Sequence, residues 1–307
     1  MALEENQLTS TIPDWIGQLT NLKFVALGGN KLNGEIPSSL TSLSILSELS
    51  LEDNMLSGSI DILNDIPTLT RVYVGGNNFK GKVQHSFLLD LKNLIELDIS
   101  SNRFTGTIPH HFLTYEVLDI HSNDIAGEIP SVERDDYPIE YLFAHNNALS
   151  GTLHNSIANL KYLTHFDVSN NELSSTIPES LADMESLQSL YLANNPWQEG
   201  PIPFFGNLTD LTELSLKGTN REGPIPGWLG RELRDLTMLS LDNNNLRYVC
   251  RASLFFGSTL TRLSRFLSHT KLLPCFDSGE IPQTLGHLKH MEYLLLNQVR
   301  TCLLILA

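Results

Sequence analysis

Ten side chains in this 307-residue chain are of types that grip or transform ligands: Tyr73, Asp98, Asp119, His121, Tyr141, Phe143, His145, His165, Asp167 and Tyr191. Their spacing is regular. Asp98, Asp119, Phe143, Asp167 and Tyr191 follow one another at intervals of 21, 24, 24 and 24 residues, and His121 and His145 are also 24 apart. Residues so spaced stand at equivalent places in a repeat, and three chemistries are open to them. Carboxylates such as Asp98 and Asp119, on neighbouring strands, invite glycoside hydrolysis. His121 and His145, with His165 one unit further on but displaced along its strand, invite a metal. A metal site needs three or four ligands in fixed geometry, and two well-placed histidines fall short of that. Aromatics mixed with histidines and carboxylates suit stacking on sugars or gripping a peptide. The plainer alternative is a solvated sheet face with scattered aromatics.

Catalysis finds little support beyond those carboxylates. The chain has no glycine-rich phosphate loop, no nucleophile elbow and no H-E-x-x-H. The expectation is a non-catalytic chain with no cofactor and no metal. His110 and His111, beside Pro109 in an outer turn, are expected to be simply exposed.

What positions the ten residues is the phrase L-x-L-x-x-N-x-L-x-G. Its Asn falls at 6, 30, 54, 77, 102, 123, 147, 171 and 195, with Thr219 in a tenth copy and Asn244 in an eleventh. Spacings run from 21 to 25 residues, mostly 24. In the copy "LTNLKFVALGGNKLNGEIPSSLTS", Leu22, Val25, Leu27, Leu32, Ile36 and Leu40 should point inward as one layer of a stacked core. Phe24 to Leu27 alternates in period two, as a half-buried strand does. Asn30 should turn the chain and bond backbone groups of its own and neighbouring coils. Gly34 allows a positive φ after that turn. Pro37 gives up an N–H where a short outer strand is expected to end. One such coil cannot cover its own core, so neighbours must stack on both sides. Outward strand positions lie two, four and six residues before the ladder Asn, and the ten residues occupy them over coils four to nine.

These residues resemble the leucine-rich repeat family. The segments "GEIPSSL", "GTIPHHF", "GEIPSV", "STIPESL", "GPIPGWL" and "GEIPQTLG" narrow the resemblance to its plant-type class, which includes ectodomains of receptor-like kinases and receptor-like proteins. The resemblance implies an α/β repeat solenoid, a right-handed superhelix of about 12 coils of ~24 residues with a concave parallel β-sheet. It also implies recognition of a peptide, protein or glycan on that face, with a possible co-receptor, usually outside the cell. A structural scaffold or cell-wall role is the alternative. A β-helix polysaccharide-active enzyme is a remote one, since its coils lack the L-x-x-L-x-L spacing and the regular Ile-Pro. The family's paired-cysteine caps are absent, no kinase or membrane segment is present, and both ends stop inside a strand. A fragment of a longer product is therefore expected, with an uncovered core layer at each end.

The repeat covers 1–246 and resumes over 278–298, leaving 247–277 as a non-repeat insert and 299–307 as a non-repeat tail. Removing the insert joins Leu246 to Ser278 and restores the phrase without a gap. Arg247-Tyr248-Val249 can be encoded as AGG TAC GTA, which contains a splice-donor sequence. Phe276-Asp277-Ser278 can be encoded as TTT GAC AGT, which contains an acceptor. The expectation is that 247–277 is translated intron, the rival being an island loop closed by Cys250 and Cys275.

Composition bounds the partners. The formal net charge is −15, and the repeats alone carry −20. That argues against a nucleic-acid partner, which wants a Lys/Arg surplus on some face. No run of 18 apolar residues is present, and the N-terminus lacks the basic-then-apolar pattern of a signal peptide. Placement at the cell surface therefore rests on the resemblance. The single N-x-S/T sequon, Asn207-Leu208-Thr209, is near what chance supplies.

Overall fold

A computed structural model of the chain describes residues 1–247 and 281–296. One coil explains the rest. The Phe24–Ala26 strand exposes Phe24 and buries Val25, as period two requires. Gly29 then takes φ 64° and turns the chain, Asn30 follows it, and a second short strand runs from Lys31 to Gly34, which has φ 79°. Val25, Leu27, Leu32, Ile36 and Leu40 are all buried, while Leu22 is only partly so. Two details depart from the sequence reading. The left-handed residue is the one before the ladder Asn, and Pro37 opens the 3-10 turn Ser38–Ser42 instead of closing a strand. Pro suits that place because the first N–H of a helical turn has no partner to lose.

Among the described residues, repetition of the coil builds two long parallel sheets and a two-stranded one, Glu222–Pro224 with Asn245–Arg247. The main sheet has 11 strands, taken in chain order along the stack, and the second has 8. Register is strict. Val72, Leu97, Leu118, Leu142, Phe166 and Leu190 are Cα partners in successive strands, each buried, so their flanking residues form columns on the opposite face. Among the described residues the helical component is slight: 3-10 turns and one five-residue α-helix, Trp228–Glu232.

The Asn ladder fixes the register. The Asn54 Nδ2 donates to Leu27 O in the preceding coil at 3.0 Å and to Leu51 O and Glu52 O in its own turn. Its Oδ1 accepts from Leu32 N of the preceding coil at 2.9 Å. Asn77, Asn102, Asn123, Asn147, Asn171 and Asn195 repeat this pattern, each tied to its predecessor at two atoms.

Thr219 breaks the ladder, and a neighbour repairs it. An Asn at 219 would donate to Leu192 O by the ladder's own offset. The Trp197 indole Nε1 makes that bond instead, at 3.0 Å, from a fully buried ring. The second sheet stops here at Glu172–Ser174, because Pro196 brings no N–H to the next strand. Arg221 then fills a slot that elsewhere holds Leu, Ile, Phe or Trp. It is 3% exposed and donates to the Thr219, Pro201 and Gln198 carbonyls, while burial holds its pKa below the usual guanidinium value.

At the first coil Leu3, Leu8 and Leu19 are exposed, and the opening residues meet the main sheet through one bridge, Ala2 to Ala26. At the other end Tyr293–Leu295 pairs in parallel with Met238–Ser240, so 281–296 stack on the coil of Asn244. Apart from Arg247, the insert expected over 247–277 lies outside the described residues, as does the tail 299–307. His111 corrects another expectation. It is half-buried in the turn His110–Thr114 with its ring 5.1 Å from that of Phe112, and its Nε2 meets Phe87 O at 3.0 Å.

Because both faces of each layer are covered, interior truncation should be costly. Leu97→Ala removes a side chain with no exposure between Val72 and Leu118. Chemical denaturation should show a loss of about 2–5 kcal/mol. Equal stability of mutant and parent would refute the inward assignment.

Candidate ligand-binding face

The strands Arg71–Tyr73, Glu96–Asp98, Val117–Asp119, Tyr141–Phe143 and His165–Asp167 share one burial pattern, with a buried middle residue and half-exposed flanks. In Ser189–Tyr191 the first residue is also buried. The flanks face away from the core and hold eight of the ten candidate residues. Tyr73, Asp98, Asp119, Phe143, Asp167 and Tyr191 form one continuous row of cross-strand partners. Tyr141 and His165 are partners in a parallel row. His121 and His145 follow two residues behind Asp119 and Phe143.

Two ring stacks lie in the centre. His121 and His145 lie face to face with centroids 4.4 Å apart and planes 8° from parallel. Tyr141 stacks on His165 at 4.8 Å and 21°, with Phe143 tilted 6.2 Å from Tyr141. Carboxylates hold the histidines. The Asp119 Oδ1 is 2.6 Å from His121 Nδ1, and Asp167 Oδ2 lies 3.2 Å from His145 Nδ1, in ion-pair range but without hydrogen-bond alignment. Asp98 accepts from Ser100 N at 2.8 Å, and Asp167 from Ser169 N and Oγ. Gly75 makes room for this packing, since a Cβ there would stand 2.8 Å from Ser100 Oγ and 2.9 Å from the Asp98 carboxylate.

A second device closes the patch at each end. The Tyr73 hydroxyl donates to Glu96, and the Tyr191 hydroxyl to Glu213, each Tyr reaching diagonally to the first residue of the next strand. Arg71 Nε donates to Glu96 at 2.9 Å, and its Nη1 lies 3.9 Å from Glu48 Oε2. The sequence reading placed Arg71 and Glu96 outward but gave them no role, and it passed over Glu213. A Tyr followed by a Glu one coil on, two places earlier in its strand, is the signal that would have found both pairs. Both tyrosines are pushed up, by burial first and the Glu hydrogen bond second. Burial alone would raise Glu96, but the Tyr73 and Arg71 hydrogen bonds hold it below its usual value.

Burial raises Asp98 against the pull of its Ser100 hydrogen bonds, with a smaller push from the Asp119 charge. Among the described residues no group of three or more His, Cys, Asp or Glu is placed to hold a metal ion.

Protonation separates the two stacked imidazoles. The Asp119 hydrogen bond raises His121, assisted by the charges of Asp119, Asp98 and Asp167. Burial lowers His145 against the pull of Asp167, and repulsion from His121 lowers it further. His121 therefore contributes stability that is complete below the ordinary imidazole range and lost as pH rises through its raised folded value. His145 runs the other way, its contribution lost as pH falls through its depressed folded value. NMR titration of the imidazole protons should resolve two midpoints, His121 above His145, and Asp119→Asn should bring His121 down. Coincident midpoints would contradict the stacked, carboxylate-held pair.

Sequence and structure comparisons agree with this architecture. A leucine rich repeat profile matches residues 140–196, and a single-repeat profile matches 21–43, 93–114 and 186–208. Comparison with curated protein sequences gives no match. Among solved structures, the plant peptide hormone receptor RGFR1 in complex with RGF2 is 34% identical with a TM-score of 0.73, over 79% of this chain and 39% of the receptor chain. The Arabidopsis receptor kinase HAESA, in complex with the peptide hormone IDA and the co-receptor SERK1, is 35% identical with a TM-score of 0.72, over 80% and 41%. PEPR1 bound to AtPEP1 is 27% identical with a TM-score of 0.64, over 96% and 47%. The chain thus spans less than half the length of each receptor. With its Asn ladder, its stacked parallel strands and its repeated Ile-Pro turn, the chain belongs to the plant-type leucine-rich-repeat proteins, the class that includes receptor-kinase ectodomains.

Proposed function

We propose that the chain is a non-catalytic recognition module that binds a peptide across its main sheet, as part of a cell-surface receptor-like product. The observation that carries this reading is the row of in-register aromatic, histidine and aspartate side chains on a face that the core does not need. Six neighbouring strands, from Arg71–Tyr73 to Ser189–Tyr191, span about 24 Å at ~4.8 Å per step. An extended peptide of about seven residues covers that distance. RGFR1 is described as a peptide hormone receptor and HAESA in complex with a peptide hormone, which favours a peptide over a glycan or a folded protein for this chain. A co-receptor is part of the same proposal, since HAESA is described with one.

The face is preformed, so little entropy is lost when a ligand docks. Its carboxylates favour a neutral or cationic ligand. Protonation of His121, and of His145 only at lower pH, weakens the negative field, so a cationic peptide should bind more weakly as the pH falls. The ten residues first singled out are the proposed contacts, with Tyr141 and Phe143 at the centre.

The test is binding of candidate peptides and oligosaccharides to the parent and to a Tyr141→Ala, Phe143→Ala double mutant. Loss of two central aromatic anchors should cost about 2 kcal/mol or more, roughly 30-fold in affinity. A ligand held equally well by the double mutant would place the site elsewhere. The same reading gives 247–277 no part in recognition. A chain lacking those residues should melt at least as high as the parent and remain more soluble, whereas a lower melting temperature would favour an integral island.

A further inference from the structure

We infer that Asn207 is an N-glycan acceptor, and that the first sugar packs on the exposed ring of Phe204. The sequon Asn207-Leu208-Thr209 alone says little, but its setting says more. The outer turn of this coil is one residue shorter than its counterpart between Ile36 and Leu43, and no 3-10 helix forms there. Instead Leu208 N donates to Phe205 O at 3.0 Å, closing a tight turn with Gly206 and Asn207 at its centre. Asn159, at the corresponding place two coils earlier, donates its amide to Val132 O of the preceding coil at 3.1 Å. Asn207 makes no such bond to any described residue and stands exposed, with Thr209 also exposed two places on. Its carboxamide is free to react.

Phe204 supplies the second observation. It is 50% exposed, three residues before the acceptor, and its ring lies across the turn. A Cβ built on Gly206 would stand 2.4 Å from Phe204 Cζ. Trp228 meets that ring edge-on at 5.3 Å, so the turn carries a small apolar patch that is left half-exposed among the described residues. The C–H face of a pyranose is positively polarised and fits the negative face of an aromatic ring. A sugar on Asn207 would therefore cover the patch.

The reaction is a transfer with no redox change. Asn207 Nδ2 attacks the anomeric carbon of the N-acetylglucosamine that ends a lipid-pyrophosphate-linked oligosaccharide. The carbon–oxygen bond to phosphate breaks, the lipid pyrophosphate leaves with the bonding pair, and one Nδ2 proton goes to base. The product is an N-glycosylated amide on a surface turn.

This inference rests on the cell-surface reading only for where the reaction would occur, so the test supplies the compartment. The full chain, given a leader and secreted from a eukaryotic host, should carry a glycan that amidase digestion in heavy-oxygen water converts to a labelled aspartate at position 207. Asn207→Gln and Thr209→Ala should both lose it. A secreted chain with Asn207 unmodified overturns the proposal. Phe204→Ser keeps the sequon and should abolish the rise in melting temperature that the glycan gives the parent. An equal rise in that variant would refute the packing. Peptide binding by the deglycosylated protein is a separate readout, so failure here is distinguishable from failure of the recognition site.

Discussion

The structure depends on one side-chain carboxamide used repeatedly. From Asn30 on, each ladder Asn gives its Nδ2 to a carbonyl of the coil before it and takes an N–H from that coil on its Oδ1, as Asn123 does with Ile99 and Phe104. These groups are buried, so leaving them unpaired would cost about 1–3 kcal/mol each. The bonds are therefore obligatory, and they allow only one register between coils. Where Thr219 cannot make them, Trp197 reaches Leu192 O with its indole, and Asn244 Oδ1 accepts from Thr219 and Arg221 together. Register thus passes through the irregular coils even though the second sheet breaks there.

Fixed register turns sequence spacing into surface geometry. Asp98, Asp119, Phe143 and Asp167 lie in one row because their ladder residues are locked, not because they attract one another. Three of them are carboxylates, and Asp98 is raised by burial first and by the Asp119 charge to a lesser degree. The neighbouring imidazoles can stack only while at least one of them is neutral, and their different surroundings make that the ordinary condition near neutral pH. The face is thus rigid in its backbone and sensitive to protons in its side chains. Tyr73 and Tyr191, tied to Glu96 and Glu213, are walls of the patch more than free contacts.

How much of this was legible follows from what a repeat can state. The spacing of Leu and Asn gives the coil, its inward layer and the outward columns, because each depends on position alone. The turn residue was misplaced because Asn30 and its predecessor are both turn formers, and only φ separates Gly29 from Asn30. The 8-stranded second sheet left no mark beyond a short strand, since its pairs are set by stacking and not by periodicity. Arg221 reads as a surface residue by type, and only the loss of the usual Leu in its slot hints that it is buried. The contacts between His121 and His145, and between Tyr191 and Glu213, depend on rotamers that columns alone do not specify. Residues 248–280 and 297–307 lie outside the described structure, so the expected insert stands on the sequence.

The central claim is that the main-sheet face, and no other surface, receives the ligand. Histidines mark both surfaces. His121, His145 and His165 lie on the face, whereas His85, His110 and His154 are exposed elsewhere on the coils. Carbethoxylation of each imidazole, measured by mass spectrometry with and without a saturating bound peptide, compares the two sets directly. The account predicts that the bound peptide slows modification of His121, His145 and His165 and leaves His85, His110 and His154 unchanged. Protection of the outer histidines with no protection on the face would contradict it.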